Sequence, residues 1–335
     1  MSITISNSLP ESEWQDFIDQ QPESNIFHTP EMFRVFSRAK GYQPELWAAL
    51  VDGRIAVLFL PVRITLVNNL LRIFTTRAVV FGGILFNAKQ DVTEALRQLL
   101  TEYLSKTKNG PLFTELRNAY DIQAIRPVLN EFGFVFEDHL NYLIDLGMPL
   151  QELFRTISKN GRKAITRSMH RGVTVEEISD HACLSEYYSL LQHTFKRARI
   201  TLSDISLFEA VYDILVPKGM AKMYLARVDK NIAAVSCELP YKDKIFSWFS
   251  GFDLEYRRAY PNDYLVWNIL QWGSENGYRL FDFGGAGRPN QQYGPRDFKS
   301  KFGGKLVNYG RDVCVHSSLR MTLGRVGYQI YRMIL

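Results

Sequence analysis

A lysine between two phenylalanines is the residue best suited to contribute to catalysis. The run YGPRDFKSKFGG, which starts at Tyr293, predicts a short helix beginning near Pro295, because proline suits the first helical turn. Phe298 and Phe302 would anchor one face of this helix in the core, with Lys299 beside them. A lysine held in this way is preorganised to stabilise an oxyanion or to neutralise a phosphate. We predict Lys299 as the catalytic residue; the alternative is a solvated lysine next to two core rings.

A glycine-rich loop lies close before this helix. The run FDFGGAGR, from Phe281 to Arg288, predicts a strand that leads into the loop. Glycines let a ligand approach the backbone, and exposed N–H groups can hold an anion or a carbonyl oxygen. We therefore place the loop in a donor- or acceptor-binding site, although a flexible surface turn is the alternative. The predicted binding residues of this region are Gly284, Gly285, Gly287, Arg288, Tyr293 and Phe298.

The segment Arg155–Arg171 is basic throughout and contains no acid. On a helix, Lys159, Arg162 and Lys163 share one face, because positions three and four apart are neighbours. Such a face would bind phosphates of a nucleotide, a tRNA or a coenzyme A-like donor. A solvated basic face explains the pattern equally well.

Several other chemistries lack their signatures. No GxSxG, HExxH or phosphate-binding P-loop motif occurs, and the six histidines are scattered. The three cysteines, Cys183, Cys237 and Cys314, are far apart and form no CxxC pair, which favours free thiols in a reducing compartment. We therefore expect neither a hydrolase nor an NTPase, and no metal or redox cofactor.

The elements that position these residues occur twice along the chain. Ala49–Ala56 and Ala226–Ala233 match at five of eight positions, and both read as strand, tight turn, strand. Phe132-Gly133 and Phe302-Gly303 each follow a predicted helix and precede a predicted strand, and their separation is nearly the same as that of the first pair. An ordered set of matches at nearly constant spacing indicates a duplication.

Strands that alternate with amphipathic helices predict mixed α/β sheets in each copy. The predicted long helices cover Asp91–Lys106 and Tyr260–Glu275. We place an N-terminal domain at residues 1–147 and a second domain at 148–315, with a basic helical insertion at its start. Residues 316–335 are predicted as an amphipathic basic helix that either packs on the second domain or lies on an anionic membrane.

The chain of 335 residues has a net charge of +5, which permits a polyanionic partner without requiring one. The polar N-terminus does not resemble a signal peptide, and the longest apolar stretch is far shorter than the about 20 residues that span a bilayer. These features predict a cytoplasmic protein, with peripheral contact at the inner face of the membrane through 316–335.

The motifs together resemble a known family. The stretch Phe281–Gly310 resembles the closing motif of Fem-type aminoacyltransferases, a strand ending in DF or DFxG followed after a gap by G-x-x-x-FKxxFG. Leu153–Val173 resembles the basic helix that opens the second domain of that family. The resemblance implies two tandem acetyltransferase-like (GNAT) domains and transfer of an amino acid from aminoacyl-tRNA to a cell-wall precursor. It places Phe298 and Lys299 at the donor end of the site.

Two departures leave the substrates open. Peptidoglycan-directed members of the family carry Arg-x-Asp where this chain reads Leu116-Arg117-Asn118-Ala119, so the usual acceptor is in question. The region from Glu255 to Asn262 has no glycine, unlike the loop by which acetyltransferases grip the pyrophosphate of coenzyme A. The expected function is acyl or aminoacyl transfer, with aminoacyl-tRNA favoured as co-substrate, to an amine of an envelope or polysaccharide precursor. The alternatives are acyl transfer from acyl-CoA or an acyl carrier to a sugar amine, and a non-catalytic module that binds anionic precursors.

Overall fold

The computed structural model describes residues 2–65, 72, 74–107, 110–178 and 180–323. The chain forms two compact units. Unit 1 contains Met1–Asp138 and Tyr309–Leu335, and unit 2 contains His139–Asn308. The mixed α/β architecture is as predicted. Within the described residues, every helix is too short or too polar to cross a membrane.

The described residues form seventeen strands, numbered in chain order. They are β1 (Ile3–Ser6), β2 (Tyr42–Pro44), β3 (Trp47–Val51), β4 (Arg54–Phe59), β5 (Val62–Thr65), β6 (Thr76–Gly82), β7 (Leu85–Phe86), β8 (Phe113–Asn118), β9 (Phe134–Glu137), β10 (Asn141–Asp145), β11 (Thr174–Glu177), β12 (Lys222–Val228), β13 (Asn231–Tyr241), β14 (Lys244–Phe252), β15 (Leu280–Gly285), β16 (Lys305–Val307) and β17 (Arg311–Val315).

The α-helices are numbered in the same way. They are α1 (Glu11–Gln20), α2 (Pro30–Arg38), α3 (Thr93–Thr107), α4 (Arg126–Glu131), α5 (Leu150–Thr156), α6 (Lys159–His170), α7 (Ala182–Arg197), α8 (Ile205–Ile214), α9 (Pro261–Glu275) and α10 (Gly294–Ser300). Asp91, the predicted first residue of this helix, lies just before α3, and its Oδ1 accepts the Thr93 N–H at 2.9 Å.

Unit 1 has two sheets, with strand orders β1-β3-β4-β7 and β2-β5-β6-β8-β17-β9. Unit 2 has one sheet, with the order β11-β12-β13-β14-β15-β10-β16. All described pairs are antiparallel except β6 with β8 and β14 with β15. Helix α3 packs on the sheets of unit 1 through residues such as Leu99 and Tyr103, and α9 packs on the sheet of unit 2 through Leu265 and Leu270.

The two hairpins that indicated a duplication are built alike. In β3–β4 the register shifts between Ala49 and Leu50, and in β12–β13 it shifts at the corresponding positions of the repeat, between Ala226 and Arg227. The turns contain Asp52 and Asp229, both with positive φ. The bulge and the turn residue thus occupy corresponding positions in the two hairpins, as a duplication predicts.

The two sequence halves exchange their last strands, which are β10 for the first half and β17 for the second. Strand β10 follows β9 of unit 1 in sequence, but pairs with β15 and β16 in unit 2. Strand β17 follows β16 of unit 2, but pairs with β8 and β9 in unit 1. The predicted boundaries at 147 and 315 therefore differ from those of the structure, at 138/139 and 308/309. Apolar alternation predicts a strand without specifying the sheet that it joins.

The predicted C-terminal helix lies only partly within the described residues. Residues 318–323 are helical, and Leu319 and Leu323 are exposed on it. The remainder, 324–335, is outside the described residues. The membrane-binding interpretation stays a prediction.

The core of unit 2 depends on Phe302, which is fully buried against Phe283 and Phe298. Phe302→Ala should lower the free energy of unfolding by about 3–5 kcal/mol, because it removes a large buried ring and leaves a cavity. Urea denaturation followed by circular dichroism measures this loss. Leu306→Ala is the matched control, since this leucine is exposed and its loss should change stability by less than about 0.5 kcal/mol. Equal effects of the two substitutions would contradict the burial of Phe302.

Candidate active site

The sheet of unit 2 opens where its two parallel strands diverge. Strands β14 and β15 pair at three positions, the last being Phe246 with Asp282, and β14 then continues to Phe252. In unit 1, the equivalent strands β6 and β8 stay paired at five positions, up to Gly82 and Asn118. Ligands of α/β sheets bind at the carboxyl ends of such strands. The opening therefore identifies a candidate site in unit 2.

Lys299 is anchored at this divergence. Its Nζ donates to the carbonyl oxygens of Phe283 and Gly285, both at 2.7 Å. The neighbouring Phe298 is partly buried and packs edge-to-face on Phe302, with ring centroids 5.3 Å apart. Burial lowers the pKa of the ammonium group to about 8, and the charges of Asp282 and Glu238 oppose that shift. The lysine is thus fixed by the protein, as its position beside two phenylalanines predicted.

The glycine-rich loop supplies carbonyl oxygens to Lys299. The N–H of Gly284 donates to Asp282 Oδ1 at 2.7 Å, so this predicted donor is already used inside the protein. Gly284 and Gly287 have positive φ, and a Cβ on Gly287 would come within 2.9 Å of the ring of Tyr293. The loop is therefore packed against Tyr293 and is not a loose turn.

Arg296, which was not predicted as a site residue, holds the outer part of the loop. Its guanidinium donates to the carbonyl oxygens of Arg288 and Pro289, at 2.6 and 3.0 Å, and also to that of Gln291. Arg288, a predicted binding residue, contributes its backbone carbonyl to this arrangement.

Two buried acids complete the site, and neither was predicted. Asp282 Oδ1 accepts from Asn141 Nδ2 at 2.6 Å as well as from Gly284. Glu238, on β13, accepts from the Ser247 hydroxyl at 3.3 Å through Oε1. Burial raises the pKa of both carboxyl groups, that of Glu238 to about 8. The available sequence signal was a single acid within an apolar strand, because acids are almost never fully buried unless they are paired.

The basic face of α6 forms as predicted, but its members differ in role. Lys159, Arg162 and Lys163 line an open groove of about 420 Å³ together with Phe154, Thr166 and Arg167. Arg162 Nη1 donates to the carbonyl oxygen of Arg155 at 2.8 Å and to that of Ile157, so it caps α5. In the part of the chain that the structure describes, no carboxylate pairs with Lys159 or Lys163.

Helix α6 also abuts the helix that carries Lys299. The Ser158 hydroxyl caps α6 by accepting the Gly161 N–H at 3.1 Å, and the Ser158 N–H donates to the Lys301 carbonyl at 2.7 Å. The basic groove and Lys299 thus belong to one connected part of unit 2.

Comparison with known proteins defines the class of this domain. Residues 154–300, which make up most of unit 2, match the family model described as acetyltransferase (GNAT) domain. A 90-residue segment is 36% identical to the lipid II:glycine glycyltransferase of Staphylococcus aureus and covers 26% of this chain and 21% of that protein. The chain thus aligns with about a fifth of the length of these curated relatives.

Solved structures extend the likeness to both units. FemX has a TM-score of 0.70 at 15% identity, covering 99% of this chain and 100% of FemX. L-PGS from Bacillus licheniformis has a TM-score of 0.60 at 14% identity, with 95% and 97% coverage. A tandem GNAT protein from the clavulanic acid biosynthesis pathway has a TM-score of 0.61 at 10% identity, with 94% and 99% coverage. These likenesses confirm the predicted fold of two tandem GNAT-like domains, and they agree with the resemblance of the sequence to Fem-type aminoacyltransferases.

The structural role of Arg162 can be separated from a binding role. Arg162→Met should lower the free energy of unfolding by about 1–2 kcal/mol, because charged hydrogen bonds to the end of α5 are lost. Lys163→Met, at the next position, should change it by less than about 0.5 kcal/mol. Urea denaturation of the two variants tests this, and equal stability would show that the capping contacts contribute nothing.

Proposed function

We propose that the chain transfers an aminoacyl group from aminoacyl-tRNA to an amine of a lipid-linked envelope precursor. The lipid II:glycine glycyltransferase of Staphylococcus aureus, FemX and L-PGS support this choice among transferases of the class. The single observation that carries the proposal is Lys299, fixed by two carbonyl oxygens at the divergence of β14 and β15. A cation held at the carboxyl end of a sheet is suited to a reaction that develops negative charge.

In the proposed reaction the acceptor amine attacks the carbonyl carbon of the aminoacyl ester directly. The carbonyl π electrons move to oxygen, and the Lys299 ammonium, which has a third N–H, stabilises that oxyanion. Collapse of the tetrahedral intermediate breaks the ester C–O bond and releases the ribose hydroxyl. Catalysis comes from positioning and charge stabilisation, without a covalent enzyme intermediate.

Transfer from acyl-CoA to a sugar amine is the second candidate, because the matched family model is an acetyltransferase domain. The structure offers little for a pyrophosphate at the usual place, the start of α9. A 3-10 helix, Leu254–Ala259, precedes that helix, and the buried Asp263 lies in its first turn. A carboxylate at a helix N-terminus competes with a bound anion. This arrangement favours an aminoacyl ester over a coenzyme A thioester.

Within lipid-linked envelope precursors, the acceptor is proposed only as an amine, because the region of unit 1 that departs from the family pattern has a structural role here. Asn118 Nδ2 donates to Asp312 at 2.7 Å and to the Tyr309 carbonyl at 3.2 Å. Arg117 forms an ion pair with Glu115 at 2.5 Å. Mass spectrometry of cell extract incubated with the protein, and with either charged tRNA or an acyl-CoA mixture, identifies donor and acceptor. Binding without turnover under all conditions would indicate a non-catalytic module instead.

Lys299→Met should reduce kcat by about 100-fold or more, because an oxyanion donor of this kind contributes roughly 3 kcal/mol to transition-state stabilisation. Single-turnover kinetics with the identified donor measure the loss, and melting curves establish that the variant is folded. Lys305→Met is the matched control, since Lys305 is exposed on β16 and its loss removes one charge from the same unit. A near-normal rate in folded Lys299→Met would remove the lysine from the mechanism.

Lys159→Gln combined with Lys163→Gln should weaken binding of a tRNA donor. It should also reduce the slope of log affinity against log salt concentration by about 1–2, because up to two phosphate contacts disappear. Arg162 stays unchanged so that α5 keeps its cap. Filter binding at several salt concentrations gives the slope. If wild type and double variant gave the same slope, the basic face of α6 would be solvated and would not bind phosphates.

A further inference from the structure

Glu238 is a buried carboxyl group with one oxygen unused. Its side chain is 1% exposed, and Oε1 accepts the 3.3 Å hydrogen bond from Ser247. Among the described residues, Oε2 has no partner at hydrogen-bond geometry, although the Ser236 hydroxyl is near enough to lower the pKa of the carboxyl group. Burying a polar atom in this state is unfavourable, so native proteins rarely keep one without a function.

Glu238 lies at the strand divergence, because its partner Ser247 directly follows Phe246, the last residue of β14 that pairs with β15. The titratable groups that interact with it come from four elements: Lys299 of α10, Tyr187 of α7, Tyr224 of β12 and the adjacent Cys237 on β13. Burial raises the pKa values of the two tyrosines and the cysteine, so these three stay neutral at neutral pH. Lys299 is the one cation in this set, and it also holds the strand divergence where the acceptor would enter.

Asp282 is less suited to exchange a proton with a substrate. Its Oδ1 already accepts from Asn141 and Gly284 at 2.6 and 2.7 Å. Those two donors hold the carboxyl group in place beside Lys299 and oppose the effect of burial on its pKa. Glu238 is the acid of the site with a buried oxygen that has no hydrogen-bond partner among the described residues.

We infer that Glu238 is the general base that accepts a proton from the acceptor ammonium, directly or through one water molecule. The inference rests on the proposed function. The ammonium gives one proton to the Glu238 carboxylate, and the resulting amine forms the C–N bond. The second proton leaves the nitrogen as the ester C–O bond breaks and passes to the departing oxygen. The nitrogen keeps one hydrogen as an amide, and Glu238 then releases its proton to water.

The titration of the pair predicts a bell-shaped pH dependence. Because the pKa of Glu238 is raised to about 8, the base form appears as the pH rises toward that value. Because the pKa of Lys299 is lowered to about 8, its charge is lost as the pH rises further. A general base works best with a pKa near the working pH. The two limbs belong to the coupled pair and meet in a narrow optimum near pH 8.

The kinetic test uses Glu238→Gln, which keeps the shape of the protonated acid. We expect kcat to fall by about 100-fold or more, the rising limb of the pH profile to disappear, and the melting temperature to stay or to increase above pH 8. Lys299→Arg keeps its charge and should instead lose the falling limb. Glu275→Gln, at an exposed glutamate, is the matched control with wild-type kinetics. A Glu238→Gln profile that keeps its rising limb would overturn the inference.

A substrate-free measurement separates this inference from the proposed function. Infrared difference spectra of the wild-type protein during a pH titration should show a protonated carboxyl band that fades as the pH rises through about 8 and is missing in Glu238→Gln. A carboxyl group already ionised at pH 6 would overturn the base assignment, whatever the donor. If wild-type protein shows the band but transfers no aminoacyl group, the proposed function is refuted, and the role of Glu238 is refuted with it.

Discussion

A cation withdrawn from water has to be solvated by the protein, and backbone atoms solvate Lys299. Its ammonium donates to two carbonyl oxygens at 2.7 Å, those of Phe283 and Gly285. These oxygens are available because β15 and β14 stop pairing at Asp282. The burial of Phe302 fixes the other side of α10. The position of the lysine therefore depends on where two parallel strands separate and on one ring in the core.

The two units treat an acid at the equivalent sheet position differently. Glu115 of β8 corresponds to Asp282 of β15. Burial alone would raise the pKa of Glu115, but Arg117 and Arg311 together lower it to about 2. Two arginines thus fix this acid as a permanent anion. Asp282 has a neutral amide and a single lysine near it, and its pKa is raised. Both copies contain the parallel strand pair. The copy with the candidate site differs in two ways: its parallel strands separate earlier, and its buried acids have fewer cations beside them.

Local features were predictable from the sequence, and long-range pairings were not. The hairpins at Asp52 and Asp229 could be recognised because turn residues determine their own geometry. Lys299 could be selected because its flanking phenylalanines have helical spacing. Glu238 gave no comparable signal, since its importance depends on facing a lysine that lies several elements further along the chain. The exchange of β10 and β17 between units is equally non-local, and so is the capping role of Arg162.

The charges at the start of α9 bear on how a polyanionic donor would be held. Asp263 lies in the first turn of that helix and pairs with Lys301 at 3.1 Å. The pair occupies the helix N-terminus, a position that would otherwise attract phosphate. Lys159 and Lys163 of α6 have no carboxylate partner among the described residues. Their helix lies next to Lys301, since the Ser158 N–H before α6 donates to the Lys301 carbonyl oxygen. Because the start of α9 is occupied, we propose that α6 makes the phosphate contacts instead. An open groove lined by several cations suits a donor that has many phosphates, such as tRNA. It suits a donor that has a single pyrophosphate less well.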